Sequence, residues 1–329
     1  MKKIIYCILT FFILLLLPNI SYAERENFDD QVIAYLQDLN RTNIQITSKI
    51  ELKDNARNHA YEYYELQMGK KTGYAVLDLN TKQIIEFSFD NPALRDLKSL
   101  MNKNVFYLGV TEFYLEGKDG LINLRNGQLV TNKTEINNLL LGEVACAKNE
   151  SNSKLFSIVD SNKFKNLRSS TYITLSHTLP NYKYNPNKIC GPTAAAMMLR
   201  YMDLYFNSNF VPTNLQSSDG VALIKNLETY INHGTTGSSA PQLAIGISKY
   251  LSRKVNYSAT YDSVEGHILY GQIADGKPYI IGVYNHPKYK QHWMTGYGYS
   301  NGWAIVNDGW GSTGVHVNPN YMDYVVRLQ

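Results

Sequence analysis

The spacing of apolar residues predicts helices and then short strands in the first part of the chain. Apolar side chains recur at helical spacing over 28–39 and again over 52–64. From Gly73 onward the period shortens, and 73–79 and 83–89 are typical of two strands joined by a turn. Further short strands are predicted at 105–110, 113–115, 120–124 and 128–130. Residues 24–147 are therefore predicted to form a small α+β domain.

The second part of the chain has helices first and strands last. Helical patterns cover 193–206, 221–230, 241–251 and 264–273, and strand patterns cover 279–284, 292–299, 302–308 and 324–328. This order is typical of an α+β domain, which we place at 170–329. Residues 148–169 are rich in Ser, Asn and Lys, and we expect an exposed linker there with a proteolytic processing site.

The first 23 residues have the pattern of a secretory signal peptide. Two lysines precede an apolar run over 4–17, and Ser21-Tyr22-Ala23 is a small-x-small cleavage site. Pro18 and Asn19 end the run below the roughly 18 residues that a membrane anchor needs. We therefore expect cleavage after Ala23, secretion and no stable membrane anchor.

Charge and cysteine content narrow the classes of function. The formal net charge of +4 gives no electrostatic case for a nucleic-acid partner. Of three cysteines, Cys7 leaves with the signal peptide, so Cys146 and Cys190 could form one disulfide at most. The sequence contains neither a CxxC pair nor an HExxH motif, and we expect no metal or organic cofactor.

Cys190 is the first candidate for chemistry, because it precedes a strongly helical segment. Pro192 suits the first turn of a helix, and the Ala/Met/Leu run that follows favours a helix buried on most sides. The unpaired N–H groups at a helix start favour the thiolate, which is the reactive form of cysteine. The alternative is a buried cysteine with only a structural role.

His292 is the histidine best placed to serve as a base for that thiol. It opens a predicted strand beside Trp293, and the next strand ends in Asn307-Asp308 before a Gly-Trp-Gly turn. A hairpin would bring the two strand ends together, so either polar side chain could orient the imidazole. A half-buried hairpin with a polar tip would have the same pattern.

The joint pattern resembles the papain-like cysteine peptidases, and within them the group related to bacteriocin-processing peptidases. The resemblance lies in Cys190-Gly191-Pro192-Thr193 before a helix, in His292-Trp293 and in Val306-Asn307-Asp308, and it covers roughly 170–329. It implies a papain-like fold with Cys190 as nucleophile, His292 as base and Asp308 as the group that orients the imidazole. Asn307 competes for the last role, although the spacing and the Gly-Trp-Gly turn favour Asp308.

One position departs from the family pattern. Such peptidases usually carry a Gln about six residues before the cysteine, where it donates a hydrogen bond to the oxyanion, and this chain has Tyr184 there. A tetrahedral intermediate needs donors besides the Cys190 main chain. Asn185 and Asn187 are the nearby amides, and we favour Asn185.

The first domain is similar to the prodomain of streptopain, a secreted bacterial cysteine peptidase, in its hairpin over 73–85. That resemblance implies a zymogen in which residues 24–147 act as an intramolecular inhibitor until the linker is cut. A permanent accessory domain is the alternative.

We therefore predict a secreted bacterial cysteine endopeptidase that hydrolyses proteins or peptides through a thioester acyl-enzyme. Two other functions remain open. A thiol acyltransferase or amidase could use the same triad, and a non-catalytic binding protein could keep an inactive peptidase fold.

Overall fold

A computed structural model of the chain describes residues 27–40, 42–140, 172–186, 189–231, 237–283 and 292–329. The predicted signal peptide, the predicted linker at 148–169, Cys146 and Asn187 lie outside these residues. We call 27–140 the N-terminal half and 172–329 the C-terminal half. Within the described part of the chain, no helix has the length and apolar character needed to cross a membrane.

The N-terminal half consists mainly of antiparallel strands. Its elements are helix α1 (Asp29–Asn40), strands β1 (Gln45–Lys53), β2 (His59–Met68), β3 (Lys71–Asp78) and β4 (Gln83–Ser88), helix α2 (Leu97–Leu100), strands β5 (Val105–Gly109), β6 (Glu112–Glu116), β7 (Leu121–Asn123) and β8 (Leu129–Val130), and helix α3 (Lys133–Leu140). The first predicted helix and the strand–turn–strand over 73–89 are confirmed.

The second helix predicted in this half, over 52–64, is wrong. The segment holds the end of β1, a turn and the start of β2, and β2 pairs with both β1 and β3. Tyr61 and Tyr63 pack in one hydrophobic cluster, whereas Tyr64 packs in another. Because both faces of β2 are buried, apolar residues occupy odd and even positions, and their spacing imitates a helix.

The C-terminal half has its helices before most of its strands, as predicted. Its elements are strand β9 (Tyr172–Thr174), helices α4 (Cys190–Tyr205), α5 (Val221–Glu228) and α6 (Ala240–Leu251), strand β10 (Ala259–Ser263), helix α7 (Gly266–Ala274), and strands β11 (Tyr279–Val283), β12 (His292–Ser300), β13 (Trp303–Asn307), β14 (Val315–Val317) and β15 (Tyr324–Leu328). The short strands β10 and β14 were not predicted.

The strands of both halves join in one sheet. Its order is β10-β15-β11-β12-β13-β14-β4-β3-β2-β1-β5-β6-β7-β8, with β9 paired to β12. The halves meet where β14 pairs antiparallel with β4, in the register Val315 to Ser88 and Val317 to Glu86. Helices and a large mixed sheet together fit the expected α+β architecture.

Helix α4 is the buried centre of the C-terminal half. Thirteen of its sixteen residues are buried, which confirms the prediction of a helix covered on most sides. Strand β12 packs against it, and the Thr295 hydroxyl donates a hydrogen bond of 3.0 Å to the carbonyl of Ala194. This contact fixes the N-terminal part of α4 against β12, the strand that begins at His292.

Candidate active site

Cys190 is the first residue of α4 and only 6 % exposed. Burial raises the pKa of its thiol to about 12, and the negative charge of Glu112 adds to the rise. The main-chain N–H groups of Trp293, Gly191 and Cys190 itself donate to the sulfur, and these hydrogen bonds lower the pKa and so oppose the rise. In this arrangement the thiol stays protonated at neutral pH.

His292 lies next in the chain to Trp293, the residue whose N–H contacts the Cys190 sulfur. Its ring is buried, with Nε2 3.1 Å from the main-chain oxygen of Asp308 and Nδ1 3.4 Å from Oε1 of Glu112. The Trp310 indole stacks on the ring at an interplanar angle of 4° and a centroid distance of 5.9 Å. Both ring nitrogens are therefore engaged by groups other than Cys190.

The hairpin predicted from the sequence brings His292 and Asp308 together. The imidazole contacts the main-chain oxygen of Asp308 and not its carboxylate. The Asp308 carboxylate accepts the N–H groups of Trp310, at 2.8 Å, and of Ser312, at 2.9 Å. It also forms a buried ion pair with the guanidinium of Arg125. Its side chain therefore shapes the turn that carries Trp310, while its carbonyl contacts the imidazole. The catalytic role of Asp308 stays a prediction.

Asn307 is the last residue of β13, directly before Asp308. Its Nδ2 donates to the carbonyl of Pro180 at 3.2 Å, so the side chain joins β13 to the loop before α4. Its Oδ1 is buried and has no hydrogen-bond partner among the described residues. The structure places this amide against the 180–186 loop rather than on His292.

Asn185 is 4 % exposed, and its Nδ2 is buried without a hydrogen-bond acceptor in the part of the chain that the structure describes. The amide lies beside the Gly309 backbone, where an added Cβ would come within 3.1 Å of Nδ2. Gly309 also has a φ of +76°, so a side chain there would be disfavoured both by its backbone conformation and by the close approach to Asn185. Tyr184, at the position of the expected Gln, accepts the Thr193 hydroxyl through its carbonyl at 3.0 Å.

Glu112 and Arg125, which sequence reasoning missed, come from the N-terminal half. Glu112 lies on β6, and burial raises the pKa of its carboxyl, against the opposing effects of His292, the Tyr114 hydroxyl and Arg125. Arg125 donates to the carbonyl of Ala93 at 2.7 Å and to the Ser312 hydroxyl at 2.5 Å. A charged residue directly before an aromatic pair, as in Glu112-Phe113-Tyr114, was the signal available in the sequence.

A second buried acid adjoins this network. Burial raises the pKa of Glu86, on β4, to about 8, and its carboxyl accepts the N–H of Thr111 at 2.8 Å. Among the described residues, no group of three or more His, Cys, Asp or Glu side chains could hold a metal ion. The candidate site is therefore a thiol, an imidazole and buried charges contributed by both halves.

Comparison with known proteins gives similarity to one peptidase family. Two solved structures are similar: a C39-like peptidase from Bacillus anthracis, at 15% identity and a TM-score of 0.34, and the peptidase domain of Streptococcus ComA, a bi-functional ABC transporter of a quorum sensing pathway, at 16% identity and a TM-score of 0.33. These matches cover 48% and 46% of this chain and 98% of each structure. No curated protein sequence matches the chain.

The family comparison falls on the C-terminal half. Residues 176–326 match the model of the Peptidase_C39 like family. The matched stretch is less than half of the chain, and it contains Cys190, His292 and Asp308. This match supports a cysteine peptidase of the papain-like type.

Proposed function

We propose that this chain is a secreted cysteine endopeptidase made as a zymogen, with Cys190 as nucleophile and His292 as its base. The observation that carries the proposal is that Cys190 begins α4 and His292 begins β12, the strand held against α4 by the hydrogen bond from Thr295 to Ala194. The thiol and the imidazole thus belong to the first residues of two packed elements, and in this proposal a rotation of the His292 side chain pairs them.

The proposed reaction uses the groups of this candidate site. With His292 paired to Cys190, the thiolate attacks a peptide carbonyl and the imidazolium protonates the leaving amine. The oxyanion is stabilised by the Cys190 N–H and by Nδ2 of Asn185, which has no hydrogen-bond acceptor among the described residues. The carbonyl of Asp308 holds Nε2 of His292, and water then hydrolyses the thioester.

The inhibited state is supported by the position of Glu112. Its carboxylate faces Nδ1 of His292, so an anion of the N-terminal half takes the place that the Cys190 thiolate needs. The same charge raises the pKa of the Cys190 thiol. While Glu112 stays in place, transfer of the Cys190 proton to His292 is suppressed, so the uncut chain should process itself only slowly.

Self-processing tests the proposal. The chain beginning at residue 24 and its Cys190→Ala variant are purified, and their masses are followed over time. We expect the unmodified chain to shorten between residues 148 and 170 and the variant to stay intact. Cys146→Ala is the matched control, because it also removes a thiol and should process normally. Equal processing of the unmodified chain and the Cys190→Ala variant would exclude self-maturation, and a Cys190→Ala variant that digests an added protein would exclude the mechanism.

A non-catalytic binding protein is the second candidate, because Cys190 is buried with a raised pKa. In that case the thiol should stay unreactive toward alkylating agents even when the N-terminal half has been removed.

A further inference from the structure

We infer that the N-terminal half remains bound to the C-terminal half after the connection between them is cut, so that a cut alone leaves an inactive two-chain complex. The inference concerns the contact surface between the halves. Its regulatory consequence rests on the proposed function.

The first support is main-chain pairing across the boundary. Strand β14 pairs with β13 on one side and with β4 of the N-terminal half on the other. Just beyond β14, the N–H and side-chain amide of Asn318 donate to the carbonyls of Ile85 and Ile84, at 2.9 and 3.3 Å. Separation would turn β14 into an unpaired sheet edge, which proteins avoid exposing.

The second support is aromatic packing around the same strands. The Phe87 ring stacks on His316 at a centroid distance of 4.5 Å and meets Trp303 edge-on at 4.8 Å. The indole N–H of Trp303 donates to the Tyr35 hydroxyl at 2.9 Å. Phe87 and Trp303 are 1 % and 5 % exposed, so separation would bring two large apolar side chains into water.

The third support is the pair of buried ionic contacts at the candidate site. The Arg125 and Asp308 side chains are 6 % and 0 % exposed, and Glu112 and His292 are similarly enclosed. Arg125 and Glu112 belong to one half, and their partners belong to the other. Breaking a buried ion pair while the groups stay buried is strongly unfavourable, so the charges hold the halves together until water reaches them.

None of these contacts involves the connection at 141–171. They are spread over β4, β6, the β7–β8 turn and α1 on one side, and over β12, β13, β14 and the turns after β13 and β14 on the other. A cut within the connection would leave every one of them in place. The N-terminal half thus fits the role of a strand-pairing inhibitor whose removal requires disruption of the β4–β14 boundary.

The test places a recognition sequence for a site-specific protease within 148–169 of the full chain and cuts it there. Size-exclusion chromatography at neutral pH follows the two fragments, and iodoacetamide labelling with peptide mass mapping follows Cys190. We expect one peak with the mass of the uncut protein and an unchanged labelling rate. Two separate peaks, or faster labelling of Cys190 on cutting, would overturn the inference.

Two variants make the test specific to the boundary. Phe87→Ala removes the ring that packs on His316 and Trp303, and we expect its cut form to separate and its Cys190 to label faster. Phe106→Ala is the control, because Phe106 is equally buried in a cluster formed only by N-terminal residues. If both cut variants behave alike, the boundary contact is not what holds the fragments.

A third measurement does not depend on the folding of the variants. Hydrogen exchange of the amides at 315–317 should stay as slow in the cut protein as in the uncut protein, and rapid exchange would refute the pairing. Elution and exchange require no enzymatic activity. A separated C-terminal half that hydrolyses no peptide would therefore contradict the proposed function and leave this inference intact.

Discussion

Replacement of Glu112 by Gln should make Cys190 react faster in the uncut chain. The change keeps the size of the side chain and its contact with the Tyr114 hydroxyl, which lies 3.0 Å from Glu112 Oε2, but it removes the charge that faces His292. Two effects then act in the same direction. The imidazole loses its anionic partner and can turn toward the sulfur, and the Cys190 thiol loses a negative charge that raises its pKa.

The size of the effect follows from the geometry. At the 3.4 Å that separates Glu112 from His292 and an effective dielectric constant near 20, Coulomb's law gives about 5 kcal/mol of attraction between two opposite unit charges. Desolvation of the two buried charges cancels more than half of that attraction, which leaves about 2 kcal/mol. Since about 1.4 kcal/mol corresponds to a factor of ten, we expect Cys190 to be alkylated roughly 30-fold faster.

The assay is iodoacetamide labelling at pH 8, quenched at intervals and mapped by mass so that Cys190 is counted separately from Cys146. Glu116→Gln is the control: Glu116 lies on the same strand, but its carboxylate pairs with the exposed Arg57. We expect that variant to label at the unmodified rate. An unchanged or slower rate in Glu112→Gln would refute the inhibitory role of this carboxylate.

Three further outcomes are expected. Because burial raises the pKa of Cys190 to about 12, its alkylation rate in the uncut chain should keep rising with pH toward that value, and a plateau near pH 9 would contradict the buried arrangement. Asn185→Ala should lower the kcat of the enzyme freed of its N-terminal half by about a hundredfold with little change in KM, whereas an unchanged kcat would remove Asn185 from the oxyanion site. Burial lowers the pKa of His316 to about 4, so the stability it contributes is present above pH 6.5 and lost as the pH falls toward 4; thermal unfolding between pH 7 and 4 should show that loss, and His316→Phe should reduce it.

The local features of the C-terminal half could be predicted from the sequence because they depend on neighbouring residues. Pro192 and the Ala/Met/Leu run determine where α4 begins, and the residues flanking the β12–β13 turn bring His292 to Asp308. The partners of these side chains could not be predicted. Which atom of Asp308 meets the imidazole depends on the turn that its carboxylate forms with Trp310 and Ser312.

Contacts between residues far apart in the chain account for the larger errors in the predictions made from the sequence. The helical pattern over 52–64 arose because β2 is buried on both faces, a property of the finished sheet rather than of the segment. Glu112 and Arg125 were missed for a related reason. Each is a single charged residue in a short strand or turn, and its partner lies at least 180 positions away in the chain.

The route by which Glu112 reaches His292 explains why the proposed inhibition would depend on the whole N-terminal half. Along the sheet, β6 lies eight strands from β12, which at a spacing of about 4.8 Å per strand would separate them by nearly 40 Å in a flat sheet. Their side chains are instead 3.4 Å apart, so the strands between them must curl back over the C-terminal half. The right-handed twist of strands and the register shifts within β1 to β6 supply that curvature. We therefore expect the carboxylate to stay on His292 only while β4 remains paired to β14 and the curl is intact, so loss of the β4–β14 pairing should release the imidazole.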